Sequence, residues 1–275
     1  MKLAFSTLGC PQWGIERIAE AAVALGFHAV ELRALGGDID LGRRPELQPA
    51  RIRETRRLLE RYGVAVCCVD TACSFHAADT KTRQKNLEAA LDHARIAGAL
   101  GAGLIRVFPN EVPEGATRAE TRERIAAGLR ELARRLPARV AVGLETHGTF
   151  ATGVAAAELV RLADHRKVAI VWDVANTIAS GEDLRRSAAA VASDLAHVHL
   201  RDARPVAGEP FWLPVLAGRG RVSFAEVIAA LREVGYEGYV CFEWEKYWHP
   251  EIEDPEIALA DFVSSVRSLI GAAKP

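Results

Sequence analysis

Short apolar runs alternate with longer amphipathic segments from one end of the chain to the other, and that alternation restricts the fold more than any other feature. The runs are KLAFS, HAVELR, VAVCCVD, GLIRVF, RVAVGLE, VAIVWD, AHVHLRD and GYVCFE, eight in all. Between them lie stretches such as GIERIAEAAVALG, whose Ile15, Ile18, Ala22 and Leu25 fall at helical spacing. Several of these stretches stop at a glycine just ahead of the next run, at Gly26, Gly63, Gly101 and Gly235. Glycine accepts the left-handed conformation that ends a helix, so these positions are predicted helix-to-strand turns. Strand-then-helix repetition predicts a parallel sheet with right-handed crossovers. Eight such repeats in 275 residues predict an α/β chain closed into one (β/α)8, or TIM, barrel, a fold for which about 250 residues is usual. The barrel is expected to take up residues 1–275 as a single domain. An open doubly wound sheet is the alternative, but no Gly-x-Gly-x-x-Gly follows the first run.

Side chains on a strand alternate between two faces. In VAVGLE, Ala141, Gly143 and Glu145 share one face; in VAIVWD, Ala169, Val171 and Asp173 do. His197 and His199 share a face in the seventh run, and Tyr239, Cys241 and Glu243 in the eighth. Each of these last four strands thus has one bulky apolar face for the outer helices. Its other face is small or polar and carries a metal-ligand type near its C-terminal end, which in this barrel is the end that builds active sites. Three carboxylates and one imidazole meeting there would repel one another without a cation. Glu145, Asp173, His199 and Glu243 are therefore the expected ligands of a divalent ion. An oxygen-rich set with one nitrogen suits Mn²⁺ or Mg²⁺, with Co²⁺ or Zn²⁺ as alternatives. For any one of these residues the competing reading is a helix N-cap, a surface ion pair or a hydrogen-bonded core histidine.

Composition narrows the function. Lys and Arg number 35 against 36 Asp and Glu, which argues against nucleic acid as the partner. No apolar run approaches the ~20 residues that span a membrane, and the opening MKLAFSTLGCPQWG turns polar too soon for a signal peptide. Five cysteines without ligand spacing suit a reduced, cytoplasmic setting.

The stretches LETHG, VWDVAN, HVHLRD, LAGRGRVSF and GYVCFEWEKYWHPE, with AFSTLGCP at the start, resemble the sugar phosphate isomerase/epimerase family of xylose-isomerase-like barrels. That group also holds sugar 3-epimerases, hydroxypyruvate isomerases, inosose dehydratases and endonuclease IV. The resemblance runs from Leu3 to about Glu251 and implies the same four metal ligands. It also implies that Glu145 and Glu243 are the catalytic acid/base pair. Departures are Asn176 where a substrate-binding histidine is common, Arg201 for the lysine of His-x-Lys-Asp, and Arg219 where an acid is common.

The expected chemistry is proton transfer through an enediolate on a sugar, sugar phosphate or related polyol ketone, giving isomerisation or epimerisation. Dehydration of a keto-inositol on the same site is the alternative. An endonuclease IV-like phosphodiesterase and a non-catalytic sugar-binding barrel are the remaining rivals. His76, Arg106, His147, Asn176 and Arg201 are candidate substrate-binding residues. Glu31 is a further acid for the pocket or a partner of Arg33 or Arg106. Arg201 and Arg219 suggest an anionic substrate. Trp13, Trp212, Trp244 and Trp248 are expected on the strand-end face, where they could stack on sugar or serve a homo-oligomer.

Overall fold

The computed structural model describes residues 1–209 and 211–271. The strands are β1 (Lys2–Ser6), β2 (Ala29–Leu32), β3 (Ala65–Ser74), β4 (Leu104–Phe108), β5 (Ala141–Glu145), β6 (Val168–Asp173), β7 (Leu195–Leu200), β8 (Asp202–Pro205), β9 (Trp212–Val215) and β10 (Tyr239–Phe242). Eight of them close a barrel in the order β1-β10-β7-β6-β5-β4-β3-β2, while β8 and β9 form a separate antiparallel hairpin. The fold is the expected (β/α)8 barrel. The helices among the described residues are α1 (Ile15–Leu25), α2 (Ile52–Arg61), α3 (Thr80–Leu100), α4 (Arg118–Arg135), α5 (Gly153–Ala163), α6 (Val174–Ala179), α7 (Leu184–Val191), α8 (Phe224–Glu233) and α9 (Pro255–Gly271). The four glycines predicted to end helices all have positive φ, at 77°, 69°, 84° and 71° for Gly26, Gly63, Gly101 and Gly235. No described helix is long and apolar enough to cross a membrane.

The chain divides into two compact units. In the first, Met1–Cys67 with Val198–Pro275, β1 lies between β10 and β2, with Ala4 level with both Cys241 and Ala29. Ala4, Ala29 and Cys241 pack together as a layer of small buried side chains. Two residues further along the same strand faces come Glu31 and Glu243, both buried. On the opposite side of the sheet Phe242 stacks on Phe262 of α9 at 4.4 Å between centroids, and Phe224 of α8 meets Phe262 edge-on at 5.6 Å. The small inner face and aromatic outer face follow the predicted parity.

In the second unit, Cys68–His197, Cys68, Leu104 and Val171 form the equivalent layer, with Ala141 against them. Gly143 leaves room for Val171: a Cβ there would lie 2.6 Å from Val171 Cγ2. The next residues on these faces are Asp70, Arg106, Glu145 and Asp173, all buried. One boundary differs from expectation. The third run was expected to end at Asp70, with Cys73 beyond it, whereas β3 continues to Ser74 through a register shift against β4. The Thr71 hydroxyl donates to the Arg106 carbonyl at 2.8 Å and accepts from the Cys73 amide at 3.0 Å, so side-chain bonds carry the strand through its irregular stretch.

Candidate functional site

In the first unit the inward side chains form a chain of opposite charges. His199 Nε2 lies 2.9 Å from Glu31 Oε2, and His199 Nδ1 lies 3.3 Å from Glu243 Oε1. Arg201 donates from Nη1 to Glu243 Oε2 at 2.9 Å, and its Nη2 faces Glu245 Oε1 at 3.5 Å. His199 and Glu31 have no exposed side-chain surface, and Glu243 is nearly as buried. Burial works against a charge on His199, but the carboxylates of Glu243 and Glu31 outweigh it and raise its pKa well above the usual histidine value. Glu31, His199 and Glu243 each offer a ligand atom, all within 4.8 Å of one another.

In the second unit Arg106 is the organising side chain. Its Nη2 donates to Asp70 Oδ2 at 2.6 Å and its Nη1 to the Thr71 carbonyl at 3.0 Å, while Nε sits 2.9 Å from Glu145 Oε2. The guanidinium also lies over the Phe108 ring, 4.0 Å from its centroid. Asp173 ends β6 and caps α6, accepting from the Asn176 amide at 2.8 Å. The N-cap reading of this aspartate is therefore realised, with one oxygen. Glu145 and Asp173 offer ligand atoms within 4.8 Å of each other.

The structure places Glu145 and Asp173 together in one unit and His199 and Glu243 together in the other, each at or beside a strand end. Among the substrate-binding candidates, Arg106 and Arg201 face carboxylates of their own units. Asn176 is half-buried and donates from Nδ2 to the Thr146 carbonyl at 3.2 Å. His147 packs its ring against Phe108 at 4.7 Å. His76 is half-buried just past β3, where burial pushes its pKa down against the opposing charge of Glu111. Of the four tryptophans, Trp13 and Trp244 are buried, Trp212 is half-buried and Trp248 is exposed. Trp244 donates its ring N–H to the Glu253 carbonyl at 2.9 Å.

Two residues stand out more than the sequence suggested. Glu31 was a secondary candidate, yet it bonds His199 directly. Its signal was its position on the same face as Ala29, closing an apolar run. Asp70 was not singled out, because the run around it gives no sign of the strand continuing; its partner Arg106, two positions from Phe108, was the better clue. The acid after the strand-seven arginine, Asp202, also has a defined part. Its carboxylate accepts from the amides of Ala203, Gly220 and Val222 at 2.8, 2.8 and 2.9 Å, pinning the loop that follows the hairpin.

The donor set tests well against a divalent metal. Buried carboxylates are costly without compensating charge, and in the first unit a protonated His199 between two of them supplies it. A metal ion would take over that task with ligands of the type that Mn²⁺, Mg²⁺ or Zn²⁺ accept.

The family model of the xylose isomerase-like TIM barrel matches residues 19–264. A curated relative, the inosose dehydratase of Lacticaseibacillus casei, is 28% identical over 141 residues, covering 45% of this chain and 47% of its own. The chain thus spans about half the length of the curated relatives it matches. Among solved structures, the IOLI protein described with a binding zinc atom superposes at a TM-score of 0.82 with 18% identity, covering 98% of each chain. The D-psicose 3-epimerase of Clostridium cellulolyticum H10, solved with D-tagatose, gives a TM-score of 0.74 at 18% identity, covering 100% of this chain and 93% of its own.

Proposed function

The chain belongs to the xylose isomerase-like TIM barrel family, and from that premise we propose that it is a divalent-metal-dependent isomerase or epimerase of a sugar or related polyol ketone. The observation that carries the proposal is the buried trio Glu31, His199 and Glu243, with ligand atoms all within 4.8 Å of one another. In a closed parallel barrel the C-terminal strand ends open onto one rim, which would let Glu145 and Asp173 complete the set. The ion would be held by Glu145, Asp173, His199 and Glu243, with Glu31 alongside. Mn²⁺ or Mg²⁺ fits the oxygen-rich donors, and the zinc named for the IOLI structure keeps Zn²⁺ in play.

A bound divalent ion would polarise the substrate carbonyl and so acidify the neighbouring C–H bond. The chain's own groups do the rest. One of Glu145 and Glu243 removes that proton and the other returns one. Return to the opposite face inverts the centre; return to the adjacent carbon interconverts aldose and ketose. Arg106 at 2.9 Å from Glu145 and Arg201 at 2.9 Å from Glu243 hold the two carboxylates in place. His76, His147 and Asn176 are the candidates for orienting hydroxyl groups.

A second reading, dehydration, is favoured by the inosose dehydratase relative. There the anion formed by proton removal expels hydroxide instead of taking the proton back. Both readings share the first step, so both are tested by incubating metal-loaded protein with ketoses and inososes in heavy water. Mass spectrometry should find deuterium at the carbon beside the carbonyl. Full metal occupancy with no exchange into any ketone of the panel would sink the proposal.

A further inference from the structure

Resting on the reading above, we propose that the site selects an uncharged polyol ketone over its phosphorylated or carboxylated counterpart. The buried arginines carry this inference. Arg106, 1% exposed, gives hydrogen bonds from both terminal nitrogens within its own unit, Nη2 to Asp70 at 2.6 Å and Nη1 to the Thr71 carbonyl at 3.0 Å, and its Nε lies at ion-pair distance from Glu145, 2.9 Å. Arg201, 5% exposed, divides its terminal nitrogens between Glu243 at 2.9 Å and Glu245 at 3.5 Å. The third buried arginine, Arg33, donates from Nη1 to the Ile39 carbonyl at 3.3 Å. Arg219, the other arginine that suggested an anion, has an exposed side chain and lies 3.7 Å from Glu253.

An incoming phosphate would have to draw one of these guanidinium groups away from a buried carboxylate. That exchange strands a charge in a low-dielectric setting, which is a poor trade for the protein. It would also enter surroundings already rich in negative charge. Asp70 and Glu145 face one arginine in the second unit, and Glu31, Glu243 and Glu245 lie around Arg201 and His199 in the first. A neutral polyol meets no such conflict, because its hydroxyl groups donate to carboxylates, which only accept. The same arginines that suggest an anion-binding site in the sequence therefore act in the structure as internal counter-charges.

Calorimetric titration of the Mg²⁺-loaded protein tests this with three probes: D-tagatose 6-phosphate, D-tagatose and inorganic sulfate, an anion that guanidinium groups bind and Mg²⁺ holds weakly. Neither anion should saturate the wild-type site. Glu245→Ala removes the carboxylate facing Arg201 Nη2, and sulfate and sugar phosphate affinity should then rise at least about tenfold, since a guanidinium fork suits both. The double variant Glu245→Ala/Arg201→Gln should lose that gain, which places it on Arg201. Saturable wild-type binding of either anion overturns the inference, as does a folded Glu245→Ala protein without the gain. If Glu245→Ala does not fold, the wild-type titration decides alone. Failure of the underlying catalytic reading shows up separately, as the absence of deuterium exchange into any neutral ketone.

Discussion

His199 Nε2 sits 2.9 Å from Glu31 Oε2, and both side chains are fully buried. With Glu243 at the other ring nitrogen, the imidazole of the metal-free protein is held as a cation between two anions. A metal can bind this ring only after displacing its proton. Metal affinity should therefore climb with pH until the raised value of His199 is passed, and level off above it. The stability effect has the opposite sign. Because the folded pKa is raised, the metal-free fold draws its stabilisation from the charged ring below the unfolded value and loses it as pH rises through the folded one. Melting temperature followed against pH, with chelator and with Mn²⁺, should show the alkaline loss in the chelated protein only. Two parallel curves would exclude His199 as the ligand.

The glutamate pair can be separated by one substitution each. Glu145→Gln and Glu243→Gln keep size and should keep the barrel folded, but the amide cannot take up a proton. Turnover should fall by about 10²- to 10⁴-fold in each. The variant lacking the abstracting base should also lose deuterium exchange, whereas the other should retain exchange without completing the reaction. Near-normal exchange and turnover in both folded variants would remove the proton-transfer role.

Glu31 should behave as part of the metal centre although it closes a strand far from the other acids in sequence. Glu31→Gln is expected to weaken metal binding by about 10- to 100-fold, the scale seen when a partner of a metal-ligating histidine is removed. Competition against a fluorescent chelator measures it. Affinity equal to wild type would leave Glu31 a structural partner of His199 only.

Much of this was legible because a period of two is hard to disguise. Glu145, Asp173 and Glu243 stand out since each shares a face with apolar residues or glycine that fill a barrel (Ala141 and Gly143, Val171, Cys241), and His199 since it shares one with a second histidine, His197. The outer aromatic layer around Phe262 was equally open to the same reasoning. What the sequence hides is which charge meets which. Arg201 reads as a substrate ligand when only its neighbours in the chain are visible; the barrel brings Glu243 and Glu245 against it across 42 and 44 positions. Asp70 escapes notice for another reason. Thr71, Cys73 and Ser74 look like a loop, and the bonds between Thr71 and Arg106, with the pairing of Ser74 and Phe108, keep that stretch in the sheet.

Gly220 should tolerate no side chain. A Cβ there would collide with Asp202 Oδ1 and the Ala203 carbonyl oxygen, so Gly220→Ala must push the loop off its carboxylate. The expected cost is about 1–3 kcal/mol, read as a lower denaturant midpoint. Arg219→Ala next to it, exposed and paired among the described residues with Glu253 at 3.7 Å, should change stability by no more than about 0.5 kcal/mol. Equal effects of the two would mean that Asp202 does not hold the loop.

That carboxylate grips its loop entirely through backbone amides, at Ala203, Gly220 and Val222. Amides are common to nearly every amino acid, so Asp202 is indifferent to what positions 219 and 221 display. Mutation can redecorate the loop while its path stays fixed, provided position 220 remains glycine. A barrel built this way can drift toward new substrates at its mouth without first weakening its frame, and a library randomised at positions 219 and 221 would begin from folded protein.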